Sequence, residues 1–249
     1  MTKTNQQKVK DFLINNGVII VMFILVIYTG FTSDNFFTRN NFMNILMNMS
    51  SRLVIALGIA GCVITAGCDL SAGRMIGFGA CISGMLLQRM DYSGKFFPDM
   101  QPLNVFVVAL IAMLVCAAFG TVTGFFIAYL NVPPFIATLA MMEIVYGIGL
   151  IVTNATPLGG YVEQYTNVSN GKFLGINYLI WIAIIVAAIT WFIFNMTRHG
   201  KYMYAIGGNP QAAEVAGVPV KATLILIYMK AAAMYGLAGF MLGAKAGGA

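Results

Sequence analysis

Three polar side chains interrupt an apolar part of the sequence. Asp69, Ser71 and Arg74 occur in the stretch TAGCDLSAGR (65–74), which separates two apolar runs. A carboxylate, a hydroxyl and a guanidinium at this spacing provide hydrogen bonding, ion pairing or helix capping. Inside hydrocarbon an unpaired charge costs at least about 2.5 kcal/mol on insertion scales. Asp69 is therefore predicted to be paired, to cap a helix or to be hydrated.

We favour helix capping for this motif. Asp69 or Ser71 would accept hydrogen bonds from free N–H groups of a helix that starts near Ala72. Arg74 would reach the lipid headgroups or pair with Asp69. The alternative is that the motif lines a translocation path, and in either case it holds a break between two short helices.

Glu143 and Lys230 are the other charged residues inside apolar stretches. An ionisable residue within a membrane segment is by default a candidate functional residue. The two could form a buried ion pair, in which case the loss of one partner would cost more than the loss of both. Alternatively, the long stem of Lys230 lets its ammonium reach the headgroups.

The composition determines which elements must position these residues. The 249-residue chain is 59% hydrophobic and only 9% charged, whereas soluble domains carry about 25% charged residues. We therefore predict an all-α, polytopic transmembrane bundle. The net charge of +6 does not indicate nucleic-acid binding, because the basic residues lie in short loops and at segment ends, where they orient membrane proteins.

Seven membrane segments are predicted within a single domain that comprises residues 1–249. A helical span needs about 20 apolar residues. Five candidates meet this length: 13–32, 104–130, 136–153, 173–195 and 222–244. The other two are apolar pieces of about 15 residues near 53–90, so short or broken helices are expected there, joined by a tight turn or meeting inside the protein.

Basic residues orient these segments. With a cytoplasmic N-terminus, seven basic residues fall inside and four outside, which follows the positive-inside rule. The seven are Lys3, Lys8, Lys10, Arg74, Arg198, Lys201 and Lys221, and the four are Arg39, Lys95, Lys172 and Lys245. The loop 197–221 is then cytoplasmic, and 91–103 and 154–172 are outside.

The loop 197–221 contains a short predicted helix. Gly207 and Gly208 are expected to form a flexible turn, followed by Asn209 as N-cap and Pro210 at the first helical position. The helical residues include Ala213 and Glu214, and Gly217 is placed as the C-terminal stop. Since isolated helices under about 12 residues are marginal in water, this one must pack on its own bundle or on a cytoplasmic partner.

Motifs for catalysis are missing from the sequence. Each GK dipeptide is followed by Phe or Tyr, so there is no phosphate-binding G-x-x-x-x-G-K-[ST] loop. The four cysteines and one histidine show no metal-ligand spacing. We therefore predict a transport subunit without metal or cofactor, rather than an enzyme.

Three stretches carry a family resemblance: IALGIAGCVITAGCDLSAGR (55–74), IAYLNVPPFIATLAMMEIVYGI (127–148) and RHGKYMYAIGGNPQAAEVAGVPV (198–220). In this order they resemble the permease subunits of bacterial sugar ABC importers of the ribose/xylose/galactose type. The resemblance implies that 207–217 contacts a separate ATP-binding subunit and that the bundle lines a sugar path. It also implies that family members continue beyond the last segment present here, so that the chain is the N-terminal part of a longer fold.

The resemblance further implies the partners and the cell location. They are an ATP-binding subunit that hydrolyses ATP, an extracytoplasmic sugar-binding protein, a second permease copy and the bilayer of a bacterial inner membrane. Galactose or a methyl galactoside is the implied sugar.

The alternative function is an ion-coupled secondary transporter using Asp69 and Glu143. A third, a retinal photoreceptor with Lys230 as the Schiff base, is disfavoured because only two tryptophans are available.

Overall fold

The computed structural model describes residues 5–33 and 35–247 and divides into two compact units, Met1–Leu46 and Met47–Ala249. Lys3, which contributes to the orientation argument, lies outside the described residues. The first unit contains helix α1 (Asn5–Thr32) and the start of α2 (Arg39–Ile64). The second unit contains the rest of α2 and every later element.

The second unit is helical apart from one short hairpin. Its elements are α3 (Ala72–Leu86), α4 (Val105–Tyr129), α5 (Pro134–Thr153), α6 (Glu163–Asn170), β1 (Lys172–Phe173), β2 (Ile176–Asn177), α7 (Tyr178–Met196), α8 (Arg198–Gly208), α9 (Pro210–Val215) and α10 (Val220–Gly247). The two strands pair antiparallel.

Five described helices are long and apolar enough to cross a membrane, namely α2, α4, α5, α7 and α10. Two shorter apolar helices accompany them, Asn16–Thr32 within α1 and the whole of α3. The predicted class, an all-α polytopic bundle, is confirmed.

Two predicted boundaries were wrong. α2 has 26 residues, so only α3, with 15, is too short to span. The sequence prediction missed the first half of α2 because Asn40, Asn41, Asn44 and Asn48 lower its hydropathy. The segment predicted at 173–195 begins instead with the hairpin, and α7 starts at Tyr178, where Asn177 caps it by accepting from the Leu179 N–H at 2.8 Å.

α10 forms the centre of the second unit. Two thirds of its most apolar stretch is buried, against a third or less for the other four candidate spans. Its glycines explain the close packing: a Cβ on Gly236 would lie 2.4 Å from the Ala112 carbonyl oxygen, and one on Gly239 would lie 2.2 Å from that of Ile76. α3 and α4 therefore contact the backbone of α10 directly, as small residues permit in membrane bundles.

The loops of this unit gather at two ends. At the hairpin end, which comprises 87–104 and 154–177, the Arg89 N–H donates to the Gly160 carbonyl at 2.7 Å. At the coupling end, which comprises 130–133 and 197–219, α8 lies against the last residue of α2, Ile64.

Candidate functional site

The DLSAG motif lies in a non-helical return between α2 and α3. α2 ends at Ile64, and the chain then runs without helix until Ala72. Ala66 adopts a left-handed conformation with φ of 56°. The return passes along α10, where the Tyr235 hydroxyl, near the middle of that helix, contacts Asp69. Non-helical backbone at this depth is tolerated because protein surrounds it.

The carboxylate of Asp69 accepts three hydrogen bonds. One oxygen accepts from the Ser71 N–H at 3.0 Å and from the Ser71 hydroxyl at 2.6 Å. The other accepts from the Tyr235 hydroxyl at 3.0 Å. The first two bonds close a turn just before α3, and the third attaches that turn to α10. Asp69 thus fixes the start of the short helix to the centre of the bundle.

Two of the alternatives expected for this motif are not found. Ser71 occupies the N-cap position of α3, but its side chain accepts no capping bond, because its backbone is helical (φ −72°, ψ −17°) rather than extended. Its hydroxyl donates to Asp69. Arg74 does not pair with Asp69: its guanidinium carbon lies 3.9 Å from the ring centroid of Tyr146 on α5. The first turn of α3 directs Arg74 away from the return and toward α5.

Three residues that support the return were missed at the sequence level. Thr138 on α5 accepts a hydrogen bond from the Leu70 N–H at 3.2 Å, and the Tyr228 hydroxyl donates to the Cys68 carbonyl at 3.5 Å. Tyr235 is the third. The spacing of Tyr228 and Tyr235, seven residues apart on an apolar helix, puts both hydroxyls on one helix face and could have indicated a polar partner.

A groove of about 200 Å³ lies between α3 and α5, and Arg74 and Tyr146 line it. Glu143 is exposed near the middle of α5, on the same helix face as Tyr146 because three residues separate them. Within the described part of the chain, no basic side chain lies within ion-pairing distance of Glu143. Arg74 thus lines the groove, whereas Glu143 is exposed on α5 and is not among the lining residues.

Glu143 and Lys230 do not form the suggested ion pair. The ammonium of Lys230 lies 4.9 Å from the ring centroid of Phe194, and its Nζ is buried without a hydrogen-bond partner among the described residues. Nε2 of His199 is likewise buried without a hydrogen-bond partner among the described residues. Burial, together with the nearby positive charge of Lys230, lowers the pKa of His199 to about 4, so this imidazole is neutral at physiological pH.

The expected flexible turn at Gly207 and Gly208 was wrong, because both residues belong to α8. Gly207 is needed for packing: a Cβ there would lie 1.9 Å from the Ile64 carbonyl oxygen. A Cβ on Gly208 would meet nothing within 4 Å. α8 therefore rests on the end of α2 at Gly207, and the first break in this loop comes at Asn209.

α9 has the predicted caps at both ends. The Asn209 side chain accepts from the Ala212 N–H at 3.0 Å, and Pro210 follows it. Gly217 has φ of +83°, and the N–H groups of Gly217 and Val218 donate to the carbonyls of Glu214 and Ala213 at 3.0 Å each. This is a Schellman motif.

Only one side chain of α9 is buried. Ala213 packs inward at 4% exposure, whereas Val215 is 91% exposed. Glu214 beside it is exposed as well. α9 thus presents an acidic and an apolar side chain at the coupling end, on a six-residue helix that its own bundle hardly covers.

Metal chemistry finds no support in the residues that the structure describes. Nowhere in 5–33 and 35–247 do three or more His, Cys, Asp or Glu side chains lie together as possible ligands. The candidate residues instead provide a bonded helix break, a charged groove and a protruding loop.

The sequence of the chain matches those of known proteins. The family model described as "Branched-chain amino acid transport system / permease component" matches residues 41–249. The galactose/methyl galactoside import permease protein MglC of Escherichia coli (strain K12) is 38% identical over 256 residues, which cover 100% of this chain and 76% of that protein. The protein of the same name from Haemophilus influenzae is 40% identical with the same coverage.

A more distant relative has a different substrate in its name. The ribose import permease protein RbsC of Escherichia coli (strain K12) is 30% identical over 236 residues, which cover 93% of this chain and 70% of that protein. No solved structure matches the chain significantly.

These matches bear out the prediction of a transport component rather than an enzyme, in a multi-pass membrane protein. The chain belongs to the family of branched-chain amino acid transport system permease components.

Proposed function

We propose that this chain is the membrane-spanning subunit of an ATP-driven importer for a monosaccharide, with galactose or a methyl galactoside as substrate. The observation that carries the proposal is the similarity over the whole chain to galactose/methyl galactoside import permeases at 38–40% identity. The sugar arrives from an extracytoplasmic binding protein at the hairpin end. The membrane is the bacterial inner membrane, with the N-terminus in the cytoplasm.

ATP is bound and hydrolysed by a separate subunit that contacts α9. The support is geometric: α9 is a capped helix with one buried side chain, and its exposed Glu214 and Val215 lie at the coupling end. A helix of six residues is unstable alone, so contact with a partner would stabilise it. α8 transmits movement of α9 to α2, because Gly207 brings its backbone against Ile64.

The DLSAG return and the α3–α5 groove are the candidate translocation elements. Asp69 and Ser71 hold the return, Arg74 lines the groove, and Glu143 is exposed on α5. Two copies of the chain enclose the path. The secondary-transporter alternative receives no support at Asp69, whose carboxylate already accepts three hydrogen bonds.

Affinity purification from native membranes tests the coupling role. Glu214→Arg should reduce co-purification of a nucleotide-binding ATPase by at least about tenfold, the effect of losing about 1.4 kcal/mol at an interface. The matched control is Glu163→Arg, the same charge reversal at an exposed residue of the hairpin end, which should leave the ATPase bound.

Two results would contradict the proposal. One is equal retention of the ATPase by the Glu214→Arg and Glu163→Arg variants. The other is uptake of galactose that an ionophore abolishes and ATP depletion does not, which would favour an ion-coupled transporter.

A further inference from the structure

A polar pocket of about 520 Å³ opens at the hairpin end of the second unit. Arg89, Glu163 and Thr166 line it, together with Tyr161. It shares no lining residue with the α3–α5 groove. Its volume lies within the range of about 300–1,000 Å³ that is usual for small-molecule sites. The pocket is therefore a separate candidate site for a small ligand.

The backbone that carries these side chains is fixed by two loops that pair with each other. Gln88 and Tyr161 form an isolated antiparallel β-bridge. Beside it, the Val162 N–H donates to the Leu87 carbonyl at 2.9 Å. Arg89 follows Gln88 directly, and the first residue of α6 follows Val162. Both sides of the pocket therefore start from this bridge.

Gln88 joins the two loops through its side chain as well. It is 1% exposed. Its amide NH2 donates to the Gly159 carbonyl at 3.1 Å, and its amide oxygen accepts from the Phe96 N–H at 2.7 Å. Both polar ends of this buried side chain are thus bonded, as is usual for buried polar groups. A wall anchored in this way holds its side chains at fixed positions, as a binding site requires.

The pocket lies over the end of the central helix. Gly247, the last residue of α10, is part of its lining. A Cβ on Gly247 would lie 2.1 Å from a ring carbon of Tyr161, so the ring packs directly on the helix end. A solute held in the pocket therefore stands at one end of the helix around which the bundle is built.

The polar groups of the pocket are complementary. The Arg89 guanidinium has only donors, and the Glu163 carboxylate has only acceptors. The Thr166 hydroxyl donates to the Glu163 carbonyl at 3.0 Å, which leaves its oxygen as an acceptor. Glu163 makes no ion pair within the described part of the chain. Since one positive and one negative charge line the pocket, they favour a ligand without net charge whose groups both donate and accept.

Asp91 favours a sugar over an amino acid as this ligand. One of its carboxylate oxygens lies 3.7 Å from Nε of Arg89. An anion beside the guanidinium disfavours a second carboxylate there, because like charges repel. Sugar hydroxyls meet no such repulsion, and their hydrogen bonds to ionised groups are about twice as strong as bonds between neutral groups.

We propose that this pocket binds a neutral monosaccharide or its glycoside, with Arg89 donating to the sugar hydroxyls and with Glu163 and Thr166 accepting from them. The inference rests on the proposed function, which supplies the sugar and places the hairpin end on the outer side of the membrane. The membrane subunit then has sugar-binding residues of its own, in addition to those of the extracytoplasmic binding protein.

Ligand-observed NMR on the full chain in lipid nanodiscs tests the pocket without the binding protein. Methyl galactoside should receive saturation transfer from the protein, and excess galactose should displace it. Glu163→Gln preserves the size of the side chain but removes the charged acceptor. It should raise the apparent Kd at least about tenfold, as expected for the loss of one hydrogen bond to a charged group. The matched control is Asp99→Asn, an exposed acidic residue of the same end outside the pocket, which should leave the Kd unchanged.

Two further variants keep the test decisive if Glu163→Gln impairs folding. Arg89→Lys retains the charge but loses the planar set of donors, and Thr166→Val removes the hydroxyl with little change of shape. Each should weaken binding severalfold at an unchanged unfolding temperature. Three results would overturn the proposal: a Kd in these variants equal to that of Asp99→Asn, no saturation transfer with the unmodified chain, or displacement by leucine instead of galactose.

The two proposals fail in distinguishable ways. Loss of the coupling role appears as equal retention of the ATPase by the Glu214→Arg and Glu163→Arg variants, a measurement that does not involve sugar. Failure of the pocket appears as sugar binding that is absent or insensitive to Glu163→Gln, in a chain that still binds the ATPase through α9.

Discussion

Asp69 and Glu143 are two carboxylates in apolar surroundings, and the structure treats them in opposite ways. Asp69 lies in the return between α2 and α3 and accepts three hydrogen bonds. Glu143 lies near the middle of α5 and is exposed without a basic neighbour in the described unit. Both would be costly if left unpaired in hydrocarbon.

The difference shows that a charge in an apolar segment can be fully hydrogen-bonded within the described fold or left exposed on its surface. The carboxylate of Asp69 accepts its hydrogen bonds from residues of the same chain, so these bonds stabilise the fold of that chain. Glu143 has no basic partner among the residues that the structure describes, so its charge adds little to the fold that they form. We therefore expect substitutions at Asp69 to affect stability more than those at Glu143.

The largest effect is expected for Asp69→Ala. This change removes three charge-assisted hydrogen bonds and leaves the Tyr235 and Ser71 hydroxyls without their acceptor, a loss of about 3 kcal/mol or more in the free energy of unfolding. The abundance of the protein in the membrane and its unfolding temperature in detergent would both fall. Asp69→Asn keeps an acceptor oxygen and should lose less. Normal abundance with a selectively raised KM for transport would instead place Asp69 in the sugar path.

A smaller loss is expected for Tyr235→Phe, which removes the hydroxyl that donates to Asp69. About 1–2 kcal/mol of unfolding free energy should be lost, the usual range for one hydrogen bond to a charged group. Tyr178→Phe at the partly exposed start of α7 is a matched control and should change the unfolding temperature little. If the two variants unfold at the same temperature, the hydrogen bond that attaches the return to α10 contributes little to stability.

Packing at the coupling end provides an independent comparison. Gly207→Ala introduces a methyl group 1.9 Å from the Ile64 carbonyl oxygen, whereas Gly208→Ala has open space. Overpacking of this kind costs about 1–3 kcal/mol, so Gly207→Ala should lower the unfolding temperature and Gly208→Ala should preserve it or raise it slightly. Equal behaviour of the two alanine variants would show that α8 does not rest on α2.

The smallest effect on the isolated chain is expected for Glu143→Gln. Since Glu143 is exposed and makes no ion pair with the described residues, the unfolding free energy of the monomer should change by less than about 0.5 kcal/mol, as at exposed sites elsewhere. Thermal unfolding at dilutions that give monomers would measure this. A loss comparable to that of Asp69→Ala would mean that the two carboxylates do not differ in role.

Much of the coupling loop was predictable because its signals are local. Asn209, Pro210 and Gly217 each favour one position of a short helix through their own backbone chemistry, and α9 carries all three in those positions. Gly207 was misread since a glycine that permits close approach and one that forms a turn look alike in sequence. Only the contact with Ile64, which is remote in the chain, distinguishes them.

The DLSAG motif shows the same limit. Its composition predicts that a charged break interrupts the apolar stretch, because a carboxylate cannot be left bare in hydrocarbon. The identity of the partner was not predictable, since Tyr235 follows Asp69 by 166 residues. The expectation that Ser71 caps α3 failed because Ser71 has a helical backbone, which does not present its hydroxyl oxygen to the free N–H groups of the first turn.

The sequence by itself determined the membrane class and the capped helix in the loop, because hydropathy and capping act over a few residues. The tertiary structure decided which polar groups meet, because that depends on helices brought together from distant parts of the chain. It placed Arg74 over Tyr146 and left Glu143 exposed, which no local pattern encodes. The physical reason is that a helix face becomes interior, lipid-facing or intersubunit surface only when its neighbours are in place.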